Sequence, residues 1–188
     1  MTRVRLEVNK IQIHRPKEHW RLYFVVVADH PSDKDQMVVS VMPESAILMV
    51  PEQKNIISFE PDGKGADGFL LLSRELPISR ELNVHFHILH SRRPKKELGK
   101  VLAHIESGVE KKALGVVSDM MGTTSPWLAI AKSGLSLVGQ ILSKIPDRNL
   151  GFVSMFERFG PEFEQEVEID RENRGGHCTV VHSWSIDS

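Results

Sequence analysis

The sequence predicts a mainly β protein, an antiparallel β-sandwich of about eight strands with an α-helical hairpin inserted between its late strands. Short apolar segments of strand length, separated by turn-forming residues, fill residues 1–93 and return over residues 147–188. Residues 94–146 instead carry apolar side chains every three or four positions, which is the spacing of amphipathic helices. We therefore expect one domain over residues 1–188, in which the hairpin interrupts the sandwich.

The first two strands have different apolar patterns. Apolar residues alternate over residues 4–8 and resume one residue out of phase at Ile11 and Ile13, so we predict a β-bulge near Asn9. Residues 21–29, RLYFVVVAD, form a continuous run of β-branched and aromatic residues. Such a run is typical of a strand that is buried on both faces.

Five further strand candidates complete the first half. The segments MVVSVMP, AILMVP, NIISFEP and GFLLLSR are each closed by proline, glycine or charge, and ELNVHFHILH is the last of the five. Side chains alternate between the two faces of a strand, so this last segment has an apolar face and a polar face. We expect Leu82, Val84, Phe86 and Ile88 on the first, and Asn83, His85 and His87 on the second.

Two amphipathic segments predict the inserted hairpin. The first covers residues 98–120, and Gly122 follows it as a C-cap glycine would. The second begins with Ser125 as N-cap and Pro126 in the first helical position, and Pro146 closes it. Because apolar residues cover more than half of the second helix, it must be buried on another surface. We expect that surface to be the sandwich, with another chain as the alternative.

The C-terminal segments return to strand patterns. NLGFVSMF and EFEQEVEID are strand candidates, and ENRGGH contains a Gly-Gly turn. The final candidate, HCTVVHSWSI, alternates in the manner of a strand with one buried face. Its predicted inward residues are Cys178, Val180, His182, Trp184 and Ile186.

Composition narrows the classes of function and compartment. Lys plus Arg number 24 and Asp plus Glu number 25, a net charge of -1, so we expect no nucleic-acid partner. Cys178 is the single cysteine, which rules out an intrachain disulfide. The N-terminal segment alternates apolar and polar residues, unlike a secretory signal, and no apolar run is long enough for an ordinary membrane span. The default compartment is the cytoplasm, with export that needs no signal as the alternative.

Residues 83–93, NVHFHILHSRR, are the first candidate for a chemical site. His85 and His87 share one strand face about 7 Å apart, and such a pair binds zinc when a neighbouring strand adds a third ligand. No third ligand is evident, and no CxxC or HExxH motif accompanies the pair. Structural histidines are the preferred interpretation, and a metal-dependent hydrolase that uses this pair is the alternative.

A second candidate for cation binding is the segment ADHPSDKD. Asp29, Asp33 and Asp35 supply three carboxylates, the ligands that a hard divalent cation prefers. A solvated turn, with Asp and Pro selected for their backbone preferences, is the simpler interpretation. We expect neither a bound metal nor a cofactor.

The clearest charge feature is a basic run after the last strand of the first half. It consists of Arg92, Arg93, Lys95, Lys96 and Lys100. Positive charge at a helix N-terminus opposes the helix macrodipole, so local helix stability does not explain the run. A solvated loop is the simple interpretation, and contact with anionic lipid or another anionic partner is the functional one.

Three segments of the chain resemble landmarks of C2-type sandwich domains. LYFVVVADHPSDKDQMVVSVMP resembles the second strand with its acidic loop, LNVHFHILHSRR the sixth strand with its terminal loop, and DRNLGFVSM the seventh. The resemblance implies a C2-like fold that binds membranes or proteins. It places Asp29, Asp33 and Asp35 in the first calcium loop. The family's Asp-x-Asp after the sixth strand is replaced here by residues 90–92, HSR, so the resemblance implies no usual calcium site.

Together these features predict a non-enzymatic interaction module. We expect it to bind an anionic membrane surface or a protein partner through its tip loops and helical insertion. A metal-dependent hydrolase is the first alternative. The second is a structural subunit that self-associates as a homo-oligomer through the helical hairpin.

Overall fold

The structure is a computed structural model that describes residues 2–14, 20–49, 55–59, 69–91, 98–108, 115–117, 127–132, 135–165 and 168–187. Within these residues the chain forms eleven strands and three helices. In chain order they are β1 (Arg3–Ile13), β2 (Trp20–Asp29), β3 (Gln36–Met49), β4 (Ile56–Ser58), β5 (Phe69–Glu75), β6 (Glu81–His90), α1 (Leu98–Gly108), β7 (Gly115–Val117), β8 (Trp127–Ala131), α2 (Leu135–Lys144), β9 (Arg148–Arg158), α3 (Glu162–Gln165), β10 (Glu168–Gly175) and β11 (Cys178–Asp187).

The strands form two antiparallel sheets, as the predicted sandwich requires. Sheet A has the order β10-β11-β1, and both β4 and β5 pair with the other side of β1. Sheet B has the order β7-β8-β3-β2-β6-β9. The predicted bulge is confirmed, because the register of β1 against β11 shifts between Val8 and Lys10 and leaves Asn9 as the extra residue.

The inner faces of the two sheets form the main core. Side chains of β1 and β11 from sheet A meet those of β2 and β6 from sheet B, including the predicted inward face of β6. The inward face predicted for the last strand is also confirmed, and Thr179 and Ser183 of its opposite face are buried as well. Cys178, Val180, His182 and Trp184 are buried, and Ile186 packs partly buried against the same core.

A second core lies between sheet B and the two longer helices. The opposite face of β2, with Tyr23, Val25 and Val27, is buried together with Val101 of α1 and Val138 of α2. The prediction that β2 is buried on both faces is therefore confirmed. The helical insertion packs on its own sandwich, which was the preferred alternative, and forms a third layer.

In its described residues, the helical insertion contains less helix than the sequence pattern predicts. The first helix ends at Gly108, and β7 occupies part of the segment that was predicted to continue it. The second helix begins at Leu135, because Trp127–Ala131 forms β8 and pairs with β3 from Val39 to Gln36. Predicting helix over residues 127–131 was wrong. These residues alternate, with Ala129 in the inner core and Leu128 and Ile130 under the helices, so they complete the ladder of β3.

Two other strand boundaries differ from those predicted. The segment MVVSVMP and the first four residues of AILMVP belong to a single strand, β3, whose pairing with β2 is irregular between Leu22 and Phe24. Proline cannot donate to a ladder, and Pro43 lies within this irregularity. Residues 162–165 form the short helix α3, so β10 starts later than the sequence indicates.

Candidate functional site

The turn between β2 and β3 contains the predicted cation candidates, and Asp29 is engaged by three partners. Its Oδ2 accepts the backbone N–H of Asn83 at 3.0 Å, and its Oδ1 lies 3.2 Å from Nζ of Lys132. Its backbone carbonyl accepts a hydrogen bond from the guanidinium of Arg74, which is buried. Asp29 thereby connects β2 to β6, to the residue that follows β8, and to sheet A.

The other two aspartates lie within the turn itself. Oδ1 of Asp33 accepts the backbone N–H of Asp35 at 2.9 Å, which is the geometry of an Asx turn. The backbone N–H of Asp33 donates to Nδ1 of His30 at 3.1 Å. In the part of the chain that the structure describes, no group of three or more His, Cys, Asp or Glu side chains could hold a metal ion.

His85 and His87 lie on the outer face of β6, as predicted. Each is only 8% exposed, and their pairing partners on β2, Val27 and Val25, belong to the core beneath the helices. On the other side, the ring of Phe152 from β9 lies 5.5 Å from the ring of His85 and 4.7 Å from that of His87. The two imidazoles are therefore held between the helix-covered part of sheet B and an aromatic side chain at its margin.

Both ring nitrogens of His85 have polar partners. Nδ1 lies 3.2 Å from Oγ of Ser154, and Nε2 lies 3.2 Å from Nδ2 of Asn83. Oγ of Ser154 is also 3.4 Å from Oδ1 of Asn83, so a hydroxyl, an imidazole and an amide form a closed network. Sequence analysis placed Asn83 and His85 on one face but missed Ser154. Only the pairing of β6 with β9 brings Ser154 opposite His85.

Burial favours the neutral form of both imidazoles. Desolvation lowers the pKa of His85, and the charge of Asp29 only partly opposes it. Desolvation and the neighbouring His85 lower the pKa of His87 to about 4. Within the described residues Nδ1 of His87 is buried without a hydrogen-bond partner. A neutral imidazole is the form that accepts a proton or binds a metal, but here His85 already uses both nitrogens within the network.

The acidic turn and the C-terminal end of β6, after which the basic run follows in the sequence, lie at opposite ends of the sandwich. Antiparallel pairing of β2 with β6 aligns Ala28 with Val84 at one end and Leu22 with His90 at the other. The two ends are separated by roughly 20 Å at about 3.4 Å per residue. The two loops that the C2 resemblance assigns to calcium binding therefore do not share a tip in this chain. We call the two ends the Asp29 end and the His90 end.

Cationic side chains converge at the His90 end. The backbone N–H of Arg21 donates to Nδ1 of His90 at 2.9 Å. Burial lowers the pKa of His90. The hydrogen bond from Arg21 and the charge of Asp147 partly oppose this effect, whereas the charges of Arg148 and Arg21 add to it. Asp147 is nearby and accepts the hydroxyl of Tyr23 at 2.7 Å. Burial, followed by this hydrogen bond, raises the pKa of the Tyr23 hydroxyl.

The predicted basic run is only partly described. Lys100 is exposed in the first turn of α1. Arg92, Arg93, Lys95 and Lys96 lie outside the described residues. The chain reaches them directly after Ser91, whose backbone N–H donates to the carbonyl of Arg21 at 2.7 Å. The last described residue before the run, Ser91, therefore lies beside Arg21 at the His90 end.

The turn between β5 and β6 at the Asp29 end was not singled out from the sequence. Its Ile78 side chain is fully exposed. Arg80 adopts a left-handed backbone conformation with a φ of 55°, which costs a non-glycine residue about 1–2 kcal/mol. Pro77 is a turn signal that sequence analysis could have used, but no sequence signal marks the conformation of Arg80.

Comparisons with known proteins add no family assignment. No family model matches the chain, and no curated protein matches its sequence. Among solved structures, it is similar to one described as "Structure of Drosophila C2-DSL-EGF1", at 6% sequence identity and a TM-score of 0.38. That match covers 99% of this chain and 67% of the other. A similarity this loose implies no shared function, and the sandwich assignment rests on the strand pairing given above.

Within the described residues, no helix is both long enough and apolar enough to cross a bilayer.

Proposed function

We propose that this chain is a non-enzymatic interaction module that binds an anionic membrane surface through the His90 end of its sandwich. The observation that carries the proposal is that Arg21 and Arg148 both lie close to His90, beside one carboxylate, Asp147, at the point where the chain enters the basic run. The net charge of the whole protein is only -1, so the run adds a local excess of positive charge to these two cations. Cations close to an anionic leaflet contribute about 1 kcal/mol each to binding.

The helical layer supports the same surface. Val138, Ile141 and Leu142 of α2 are buried against sheet B, so this apolar stripe is already occupied within the chain. The opposite side of α2 exposes Ser136, Gln140, Ser143 and Lys144. Lys144 lies in the last turn of α2, four residues before Arg148, so it is a further cation on the segment that leads to the His90 end. This packing favours a polar, cationic contact over self-association through the apolar face of the hairpin.

A protein partner with an acidic surface is the alternative occupant of the His90 end. A hydrolase that uses His85 and His87 is an alternative of another class. The contact between Ser154 and His85 favours it, because a hydroxyl next to a neutral imidazole is a starting point for general-base catalysis. The closed network with Asn83 explains the same contact as structural hydrogen bonding, and we prefer that interpretation.

Vesicle flotation tests the proposal directly. The full chain is mixed with vesicles of phosphatidylcholine alone or with added phosphatidylserine, at low and high salt. We expect flotation only with phosphatidylserine, and a steep loss with salt because exposed charges are screened. Replacing Arg92, Arg93, Lys95 and Lys96 by Ser should reduce partitioning by roughly two orders of magnitude.

A matched control removes four positive charges from the Asp29 end. Arg3, Lys34, Lys132 and Arg158 are all exposed there, and their replacement by Ser changes the net charge by the same amount. We expect this variant to float almost as well as the parent protein. Equal losses in the two variants would show that total charge and not the His90 end matters. No flotation of the parent protein would refute membrane binding and favour a protein partner.

A further inference from the structure

The turn between β5 and β6 presents one large apolar side chain to solvent. Ile78 is fully exposed at its apex. Among the described residues, the other exposed large apolar side chains are Ile56, Phe152 and Phe156, and each of these lies within a strand. Exposure at the apex of a turn separates Ile78 from the sheet surface and allows it to enter a concave partner.

Hydrogen bonds on both sides of Ile78 hold the turn in one conformation. The carbonyl of Pro77 accepts the backbone N–H of Arg80 at 2.9 Å, which closes the turn. The carbonyl of Arg80 accepts the N–H of Phe159 at 2.8 Å, and Nε of Arg80 donates to the carbonyl of Phe159 at 2.7 Å. These contacts maintain the left-handed conformation of Arg80, and strain of this kind concentrates at functional sites.

The surroundings of the turn are polar and slightly acidic. Two shallow clefts of about 400 and 390 Å³ meet at Arg80. Their lining includes three carboxylates and two cations, and one of these cations, Arg158, is paired with a carboxylate. The carboxylates belong to Glu75, Glu81 and Glu164, and the cations to Arg80 and Arg158.

We propose that this turn is a second docking point, at which Ile78 enters an apolar pocket of a protein partner that has a basic rim. A protein is favoured over an anionic bilayer because the lining of the two clefts has one carboxylate more than it has cations and so offers acidic lipid no positive surface. The held turn loses little conformational freedom on binding, which favours a buried anchor residue. The site is independent of the His90 end, and if both operate the domain connects a protein to an anionic surface.

A photo-crosslinking residue in place of Ile78 tests for the partner in the cells of origin. The same residue in place of Lys34, which is exposed at the same end, serves as the control position. We expect one crosslinked adduct that forms only from position 78. Excess wild-type protein should compete for the partner and prevent this adduct, whereas excess Ile78→Ser protein should not. An adduct equally abundant from position 34, or none at all from position 78, would overturn the proposal.

The protein identified in that adduct is then purified and its affinity measured. Burial of one isoleucine side chain accounts for about a tenfold difference in affinity or more, so Ile78→Ser should weaken binding at least that much. Lys34→Ser should leave affinity unchanged. Arg80→Gly relieves the strained backbone and loosens the turn, so it should weaken binding a few-fold while the fold is kept. Binding of Ile78→Ser within threefold of the parent would overturn the proposal.

Two further measurements separate the other possible occupants. An Ile78→Trp variant should show unchanged emission with vesicles of phosphatidylcholine or phosphatidylserine, and a blue shift would assign the turn to a bilayer instead. Native mass should be the same for the parent and Ile78→Ser proteins. A loss of oligomer in the variant would assign the turn to a second copy of the chain and refute the heterologous partner.

Discussion

The carboxylate of Asp29 accepts the backbone N–H of Asn83 at 3.0 Å and so joins the end of β2 to the start of β6. Removal of this acceptor leaves a partly buried donor without its partner, so Asp29→Ala should cost about 1–3 kcal/mol in the free energy of unfolding. Asp29→Asn, which keeps an acceptor oxygen, should cost less. Asp35→Ala, in the exposed turn, should be close to neutral. Chemical denaturation, with chelator and with added calcium, measures all three. A destabilisation of both alanine variants that appears only with calcium would indicate a cation site instead.

The buried face of α2 is the second test. Val138 is completely buried between α2 and sheet B, so Val138→Asp places a charge in an apolar core and should cost several kcal/mol. Gln140 is exposed on the same helix, and Gln140→Asp is the matched control with the same new charge. We expect a large fall in melting temperature for the first variant and little change for the second. Equal melting temperatures for the two variants would mean that the helical layer is not part of the folded core.

Acid should destabilise the fold through its buried histidines. Burial lowers the pKa of His87 to about 4, and that of His182 to about 4, from an ordinary value of 6.5. The unfolded chain therefore binds more protons than the folded one between these values. Stability is retained above pH 6.5 and falls towards pH 4, by about 1.4 kcal/mol per pH unit for each histidine within that window.

A substitution at His87 isolates one contribution. His87→Phe removes the titrating group and leaves an aromatic side chain beside Phe152, so the dependence of unfolding free energy on pH should become shallower by about one proton. His104→Phe changes an exposed histidine of α1 and should leave the dependence as it was. Denaturant titrations between pH 7 and pH 5 compare the slopes. Identical slopes for the parent and His87→Phe would contradict the prediction.

Close contact between β9 and the hairpin of β10 and β11 depends on glycine. A Cβ on Gly175 would overlap the backbone carbonyl group of Phe152, which cannot rotate away, and would also crowd Cγ2 of Val153. We therefore expect Gly175→Ala to destabilise the protein by about 1–3 kcal/mol, as overpacking does in cores. Gly139→Ala is the control, because a Cβ there meets nothing within 4 Å. In the middle of α2 it should stabilise by up to about 1 kcal/mol. Thermal denaturation measures both effects. A Gly175→Ala variant with an unchanged melting temperature would show that β9 and β10 separate easily enough to accept the Cβ.

We also predict that purified protein holds no stoichiometric zinc at His85 and His87. Coordination would have to displace Ser154 or Asn83 from His85, and desolvated ligands without a third partner bind a metal weakly. Elemental analysis measures the metal content. One equivalent of zinc per chain that is lost on His85→Ala, but kept on the exposed His104→Ala, would establish the site that we do not expect.

Local sequence patterns were sufficient to predict features of several strands. The phase slip around Asn9 predicted the bulge of β1, and the alternation in residues 82–88 predicted which side of β6 is apolar. Both predictions hold because the two-residue period of a strand follows from backbone geometry. The predicted extent of the helices was wrong because the apolar pattern did not distinguish helix from strand. Residues 127–131 are apolar enough for either structure, and the vacant edge of β3 decided that they form a strand.

The sites depended on information that no local segment contains. Asn83, His85 and Ser154 meet only through the register of β6 with β9, and the turn at Ile78 is held by Phe159 from a distant part of the chain. Likewise, the direction of β6 relative to β2 decided that the acidic turn and the end of β6 that precedes the basic run lie at opposite ends.

The sequence by itself determined the residues that must be buried, because apolar periodicity and turn chemistry act between neighbours along the chain. Only the tertiary structure decided which polar groups meet. Strand register and sheet order are set by the packing of the whole domain, and the contacts of Asp29 with Asn83 and Lys132 exist only after that packing is complete.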